Sequence, residues 1–363
     1  QAEDGIRDLV RSRGLGDVYK RQDIKGYEEE MLKQRNSSKT SSKFKAYFNE
    51  NLNLDIISKK IKEGFQGYKS FQTKSKLVGI IKDNEIVDYA SKGERVSLIF
   101  DKTPFYAESG GQISDKGHAL YGSKNIEIFD VQKTKENIFL HESILKNGSI
   151  KTGETFDLEI DFDRRVKISS HHTATHILHY ALREVLGTHV RQAGSLVEDS
   201  RLRFDFSHFS NISEEMINKI EKLCNIKIQE NNDINIFENV DYKKAIKDGA
   251  NAFFEEKYGD RVRVVKIGNY SQELCGGTHI QKTGSLGLIT ISSESAISSG
   301  IRRIEAYTSD NAYDYYLSLK NNIYKSSQLL GSSTNHVPDE IDRIKKAVSY
   351  THLRAHETVL DVV

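Results

Sequence analysis

Hydrophobic and polar positions alternate in short runs between residues 65 and 161. The runs, which read LVGIIKD, EIVDYA, RVSLIFD, IEIFDV and FDLEIDF, are separated by Gly, Asn, Asp and Lys. A period of two residues is that of a strand with one buried face, and many short strands joined by turns are typical of a small β-barrel or sandwich. We therefore predict an all-β unit in this part of the chain.

The hydrophobic period becomes helical in residues 164–186, and Gly187 follows as a C-cap. Strand-like segments come next, in SLVEDSRLRFDFS, and Ser213 then caps a second amphipathic helix. The strand-like SLGLITISSESAI and RRIEAYT precede a helix at residues 310–330, and VPDEIDRIKKA begins another. This mixture of strands and helices indicates an α+β fold.

The two ends of the chain share a peculiarity. Residues 12–22 read SRGLGDVYKRQ, and residues 348–358 read VSYTHLRAHET. Back-translation of VSYTHL, read as the reverse complement in a shifted frame, encodes DVYKR, which is part of the first segment. We therefore interpret residues 1–22 and 348–363 as translated adapter-like artefact sequence and leave them out of the fold prediction.

Length and composition narrow the class of protein. The 363 residues, 37% of them hydrophobic, suffice for two or three globular domains. No apolar run is long enough to span a bilayer, and the first residues lack a signal-peptide pattern, so a cytoplasmic protein without a membrane partner is expected. Only two cysteines are present, too few for a disulfide scaffold. The 53 basic and 52 acidic residues nearly balance, so net charge alone indicates no nucleic-acid partner.

Two short motifs indicate a metal site. In HHTATH, His172 and His176 are four apart within the helical pattern and therefore share a helix face. In ELCGGTHI, two glycines let the chain turn so that Cys275 and His279 converge. Either motif alone could be a coincidence, because histidines on helices are more often hydrogen-bonded structural residues. Three imidazoles and a thiolate together suit Zn²⁺ better than calcium or magnesium.

Several long motifs resemble the editing and barrel regions of the alanyl-tRNA synthetase family. They are TPFYAESGGQISDKG, HHTATHILHYALREVLGTHVRQAGSLVEDSRLRFDFSHF and SQELCGGTHIQKTGSLGLITISSESAISSGIRRIEAYT, in that order. The resemblance implies an α+β fold with a small β-barrel domain, then a zinc-binding α+β editing domain and a helical connector. The implied limits are residues 23–64 for a helical linker from the upstream domain, 65–161 for the barrel, 162–308 for the editing domain and 309–347 for a truncated connector.

The same resemblance assigns the zinc ligands to His172, His176, Cys275 and His279. The sequence departs from the family at His171, because the family usually has Asn before its first zinc histidine. The spacing of four residues to His176 selects His172 over His171 as the ligand.

The resemblance also implies further site residues. Gln192 matches a pocket residue of the family's editing site, while Arg203, Asp205 and Arg302 fall in motifs near it. An ion pair between Arg and Asp would explain the last group equally well. Two further residues, Gly110 and Gly111, could present backbone N–H groups to the acceptor end of a tRNA. The alternative for these glycines is a barrel turn that requires positive φ.

The function that the resemblance implies is editing. The expected reaction is zinc-dependent hydrolysis of Ser-tRNA(Ala) and Gly-tRNA(Ala), with the tRNA(Ala) acceptor end as partner and no protein partner evident. ATP and Mg²⁺ would belong to the aminoacylation domain of the parent ligase, of which this chain shows no sign, so the fragment is not expected to charge tRNA. A free-standing editing protein and a zinc-stabilised tRNA-binding module without catalysis stay open as alternatives. Whether the zinc is catalytic or structural is also open.

Overall fold

The computed structural model describes residues 54–252 and 259–360, with side chains described as far as residue 350. Residues 1–22, interpreted as adapter-like, and most of the predicted linker at residues 23–64 lie outside this part. In the described remainder of the linker, a short helix α1 spans Asp55–Ser58.

Six antiparallel strands close into a β-barrel, so the barrel prediction is confirmed. Around the barrel the order is β2 (Gln72–Lys82), β5 (Arg95–Phe100), β9 (Phe139–Asn147), β8 (Lys124–Lys133), β7 (Gly117–Tyr121) and β11 (Thr155–Ile160), and β11 pairs back onto β2. Along β11 buried side chains recur at every second position, as the sequence pattern predicts, whereas the second half of β2 is buried on both faces. The strands of this region are β1 Gly64–Phe65, β2 Gln72–Lys82, β3 Glu85–Val87, β4 Tyr89–Ser91, β5 Arg95–Phe100, β6 Lys102–Thr103, β7 Gly117–Tyr121, β8 Lys124–Lys133, β9 Phe139–Asn147, β10 Ser149–Lys151 and β11 Thr155–Ile160.

A long helix, α2, follows the barrel and spans Phe162–Leu186. Asp161 caps its first turn by accepting a hydrogen bond from the backbone N–H of Arg164. Gly187 ends it with φ 113°, which a residue with a side chain rarely adopts. Most of its residues between positions 168 and 182 are buried, so the helix runs through the interior and carries its histidines there.

The second half of the described chain packs a four-stranded antiparallel sheet against α2 and a second helix, α3 (Glu214–Gln229), which Ser213 caps as predicted. The sheet order is β12 (Gln192–Val197), β13 (Leu202–Ser207), β18 (Ile301–Thr308) and β17 (Ile289–Ser298). A separate three-stranded sheet of β14 (Ile234–Asp241), β15 (Arg261–Ile267) and β16 (Ser271–Leu274) was not predicted from the sequence. The elements are β12 Gln192–Val197, β13 Leu202–Ser207, α3 Glu214–Gln229, β14 Ile234–Asp241, α4 Tyr242–Lys247, β15 Arg261–Ile267, β16 Ser271–Leu274, β17 Ile289–Ser298 and β18 Ile301–Thr308.

Two helices complete the described fold. The helix α5 spans Ser309–Leu330, where the sequence pattern predicts a helix, and α6 spans Val337–Leu360, beginning where VPDEIDRIKKA predicts one. The second helix continues without a break through residue 348, where the adapter-like segment is predicted to begin. None of the helices in the described ranges is both long and apolar enough to cross a membrane.

A buried ion pair joins α2 to the barrel. Arg165, on the first turns of α2, donates from Nε to both carboxylate oxygens of Asp115 at 2.9 and 3.1 Å. The same guanidinium donates to the carbonyls of Gly67 and Pro104 at 2.8 and 3.0 Å. The Arg165 and Asp115 side chains are 2% and 1% exposed, so each charge depends on the other for compensation.

Replacing Arg165 with Ala should therefore lower the free energy of unfolding by about 3–5 kcal/mol, because the Asp115 carboxylate would stay buried without its partner. The matched control is Arg343→Ala, which removes a 73% exposed arginine paired with Glu340 and should cost less than about 1 kcal/mol. Urea unfolding of the three proteins gives the comparison. Equal losses in both variants would show that the junction does not stabilise the fold in this way.

Candidate metal centre and adjoining cavity

Two histidines on α2 form one side of the centre. His172 and His176 are one helical turn apart and face the same side of the helix, with ring centroids 5.7 Å apart. Both are buried, at 6% and 4% exposure. The helix is held in this place by the Arg165 ion pair and by its apolar contacts with the four-stranded sheet.

The other side is the turn after β16, which carries Cys275 and His279. Arg263 on β15 donates from one nitrogen to the carbonyl oxygens of Cys275 and Gly277, both at 2.9 Å. This guanidinium lies 4.1 Å from the ring centroid of Tyr68. Because one charged group binds two carbonyls of the turn, the turn is held tightly bent towards α2.

The four side chains converge on one point. Their candidate ligand atoms all lie within 4.8 Å of one another. The Sγ atom of Cys275 is 3.3 Å from Nε2 of His172 and 3.2 Å from Nε2 of His279. Three imidazoles and one thiol suit a transition metal ion, whereas calcium and magnesium prefer oxygen. The donor set therefore fits a metal ion.

Each imidazole has its second nitrogen occupied by a neighbouring oxygen. A metal-binding histidine commonly uses its other ring nitrogen in this way, because that contact fixes the ring and its tautomer. The contacts are His172 Nδ1 with Gln112 Oε1 at 2.7 Å, His176 Nδ1 with Glu273 Oε2 at 2.8 Å, and His279 Nδ1 with Thr173 Oγ1 at 3.1 Å. All three Nε2 atoms are thereby left for the centre of the cluster.

The electrostatics of the cluster favour negative charge on the sulfur. Burial alone would raise the pKa of the Cys275 thiol, but the neighbouring His172 and His279 outweigh it and hold the pKa well below its ordinary value. Burial likewise opposes ionisation of Glu273, yet the charge of His176 and the hydrogen bonds from His176 and His179 lower the pKa of Glu273 to about 2. The surroundings thus favour the ionised forms of Cys275 and of the adjacent Glu273, and a bound cation would compensate their negative charge.

His171 lies outside the cluster. Its Nδ1 is 2.8 Å from the carbonyl oxygen of Glu198, and its Nε2 accepts from the backbone N–H of Thr308 at 3.2 Å. Burial lowers the pKa of His171 to about 4, so the ring is neutral and joins α2 to two other segments. The structure therefore gives this histidine a structural role outside the metal centre.

A cavity of about 420 Å³ opens beside the cluster. Its walls come from the barrel, α2, the start of β12 and the turn after β16. Gln192, predicted as a pocket residue, lines it and donates to Ser195 Oγ at 3.0 Å. The lining residues are Tyr106, Ser109, Gly110, Gly111, His172, Thr175, His176, Gln192, Gly194, Ser195, Glu273, Leu274, Cys275, Gly276 and Gly277.

The two barrel glycines also line this cavity. Gly110 and Gly111 have φ of 60° and 85°, so the turn explanation for them is met in the structure. A Cβ on Gly111 would lie 2.5 Å from the carbonyl oxygen of Ser195, whereas one on Gly110 would meet no atom within 4 Å. Close packing against Ser195 on β12 therefore requires a glycine at position 111. The space next to the Cα atom of Gly110, by contrast, is open.

Arg203, Asp205 and Arg302 do not line the cavity. Asp205 forms a bidentate pair with Arg303 at 2.6 and 2.8 Å, and Nε of Arg203 lies 3.7 Å from the same carboxylate. Arg302 pairs with Glu294 on the neighbouring strand. The ion-pair explanation that the sequence left open for these residues is thus present in the structure, with Arg303 as the closest partner of Asp205.

Sequence reasoning missed the residues behind the ligands. Gln112 follows the glycine pair directly and Glu273 lies two residues before Cys275, so both stand inside motifs that the sequence had singled out. No spacing rule marked them, because their contacts with His172 and His176 join segments distant in the chain.

Comparisons with known proteins match two parts of the chain. The family described as tRNA synthetases class II (A) matches residues 4–164, and the threonyl and alanyl tRNA synthetase second additional domain matches residues 262–305. The alanine–tRNA ligase of Xanthomonas campestris pv. campestris (strain 8004) is 41% identical over 335 residues, which are 92% of this chain and 37% of that protein. The alanine–tRNA ligase of Thermoanaerobacter sp. (strain X514) is 42% identical over 328 residues, which are 90% of this chain and 37% of that protein. The chain thus spans a little over a third of the length of these relatives.

The turn after β16 offers a test of the metal centre with a built-in control. In Gly277→Ala, the new Cβ would lie 1.9 Å from Cε1 of His172, so the ring must move. In Gly276→Ala, the new Cβ would meet no atom within 4 Å. We expect Gly277→Ala to lower metal affinity at least about tenfold and Gly276→Ala to keep one ion per chain. Metal content after dialysis against a weak chelator measures both, and equal retention by the two variants would contradict the assigned centre.

Proposed function

We propose that this chain, which belongs to the alanyl-tRNA synthetase family, hydrolyses Ser-tRNA(Ala) and Gly-tRNA(Ala) at a zinc centre. The ligands would be His172, His176, Cys275 and His279. One observation carries this proposal: three of these four side chains also line the 420 Å³ cavity. A metal buried only for stability would not need to face an open cavity.

Zinc suits the donor set. It takes nitrogen and sulfur ligands in tetrahedral sites, and three imidazoles with one thiolate make a complete set of four. Bound there, zinc would supply positive charge that orients the misattached aminoacyl group and favours negative charge on the ester carbonyl oxygen. Four protein ligands leave a free coordination position only if the shell expands or one ligand is released. The ester would therefore lie in the cavity beside the ion.

Editing answers a limit of recognition by binding. A pocket built for alanine cannot strongly reject glycine, which lacks one methyl group, or serine, which adds one hydroxyl. Such differences correspond to roughly 1–3 kcal/mol, which is less discrimination than protein synthesis requires. Hydrolysis at a second site removes the products that the first selection lets through.

The cavity walls would bind the ester and place it. Gln192 donates one amide hydrogen to Ser195, so its amide oxygen can accept from an amino or hydroxyl group of the substrate. The open side of Gly110 leaves space for the acceptor end of tRNA(Ala). In the reaction, water adds to the ester carbonyl carbon, the bond to the terminal ribose oxygen breaks, and that oxygen takes a proton. Positioning by these residues lowers the barrier to the addition.

Arg203, Asp205 and Arg302 would act by a different route. Their ion pairs connect β13, β17 and β18, which form part of the sheet that begins beside Gln192. We propose that they support this wall without contacting the substrate.

Ligation of alanine to tRNA(Ala) is proposed only for the longer relatives. The cytoplasm is the proposed location, as for other proteins of translation.

The proposal predicts that Cys275 and Gln192 fail in different ways. Cys275→Ala removes a ligand. Loss of a hydrogen-bond partner of a ligand lowers metal affinity roughly 10–100-fold, and loss of the ligand itself should lower zinc affinity by more than that. Hydrolysis should fall with the zinc content. Gln192→Ala should keep zinc content and melting temperature, and should change the ratio of Ser-tRNA(Ala) to Ala-tRNA(Ala) hydrolysis by about tenfold.

Cys224→Ala is the control for Cys275→Ala, because Cys224 is the other cysteine, lies in the hydrophobic core and does not line the cavity. It should keep zinc and hydrolysis. Zinc content, thermal melts and deacylation rates are measured for all three variants. If the wild-type protein binds tRNA(Ala) without releasing serine from it, the chain is a binding module and the hydrolytic proposal fails.

A further inference from the structure

Gln112 belongs to the barrel region, yet its side chain is part of the metal centre. It is completely buried, at 0% exposure. Its Oε1 accepts from His172 Nδ1 at 2.7 Å and from the backbone N–H of Thr278 at 2.9 Å, while its Nε2 donates to Thr278 Oγ1 at 3.0 Å. We infer that Gln112 is a positioning residue for the metal centre, so that the barrel supplies part of the site.

The orientation of the amide is determined by its neighbours. The backbone N–H of Thr278 can only donate, so the oxygen of Gln112 must face it. That same oxygen faces Nδ1 of His172, which must therefore carry the hydrogen. The unprotonated nitrogen of His172 is then Nε2, the atom 3.3 Å from Sγ of Cys275. Gln112 thus selects the tautomer that can bind a metal ion.

The backbone of Gln112 is fixed as well. Ser109 and Gln112 exchange two backbone hydrogen bonds, at 3.0 and 3.1 Å. On either side, Ile113 donates to the carbonyl of Val197 at 3.2 Å, and Val197 donates to the carbonyl of Gly111 at 2.7 Å. The loop at residues 109–113 is therefore hydrogen-bonded to β12 on both sides of Gln112. The Gln112 amide consequently has little freedom to follow a displaced His172.

Gln112 also contacts both halves of the ligand set. His172 lies on α2, and Thr278 lies between the two ligands of the turn after β16. The other two oxygens behind the imidazoles come from α2 and β16 themselves, on Thr173 and Glu273. Of the three, only the Gln112 oxygen comes from the barrel region. Gln112 therefore brings the barrel region into direct contact with one of the metal-binding imidazoles.

The inference rests on the metal centre of the proposed function, and it is tested by metal binding in the absence of tRNA. Gln112→Met keeps a similar volume and removes the acceptor. Gln112→Glu keeps an acceptor for His172 and for the N–H of Thr278. We expect Gln112→Met to lower zinc affinity about 10–100-fold and Gln112→Glu to stay within about threefold of wild type.

Two further measurements separate positioning from a general loss of structure. Cobalt(II) is substituted for zinc in each 363-residue variant, and the visible spectrum, which reports ligand geometry, should change in Gln112→Met and stay like wild type in Gln112→Glu. Gln132→Met is the control, because that barrel glutamine donates to Glu108 and Asp130 and does not line the cavity. If Gln112→Met does not fold, Gln112→Asn takes its place, since its amide is one methylene too short to reach both partners.

Wild-type zinc affinity and cobalt spectra in Gln112→Met would overturn the inference, as would equal losses in the Glu and Met variants. These outcomes are distinct from failure of the proposed function. A chain that binds zinc with the predicted dependence on Gln112 but does not hydrolyse Ser-tRNA(Ala) would disprove the hydrolysis and leave the positioning role intact.

Discussion

Compensation of buried negative charge is the constraint on which the rest of the structure depends. Cys275 and Glu273 have environments that favour their ionised forms, although Glu273 is buried and Cys275 is partly buried. Charges in such surroundings are stable only beside a cation. Three imidazoles surround the thiolate with their Nε2 atoms, and an ion bound among them would complete the compensation. Three features bring the imidazoles and the thiolate within reach of one ion: the buried path of α2, the bent turn after β16 and the glycine at position 277.

Much of this could be predicted because it depends on neighbours in sequence. The apolar stripe and Gly187 predict α2 at residues 164–186, close to the observed Phe162–Leu186, and alternation predicts the barrel strands. The sheet containing β14 could not be predicted in the same way, because most residues of β14 are exposed and leave no alternating pattern.

The candidate site divides along the same line. The spacing of four residues between His172 and His176, and again between Cys275 and His279, is local, so the sequence predicts which side chains the fold then brings together. The partners behind them depend on tertiary packing: Gln112 reaches His172 across 60 positions. The motif RLRFDF likewise could not show that Asp205 pairs most closely with an arginine on β18.

The central claim is that the metal centre and the hydrolysis of mischarged tRNA are one site, and a reversible metal-removal experiment tests it most directly. Serine release from Ser-tRNA(Ala) is followed with the purified chain as prepared, after complete chelation, and after one equivalent of zinc is restored, while circular dichroism monitors the fold. The account predicts that release stops on chelation and returns in proportion to the zinc restored. Full-rate release by a folded, metal-free chain would contradict it.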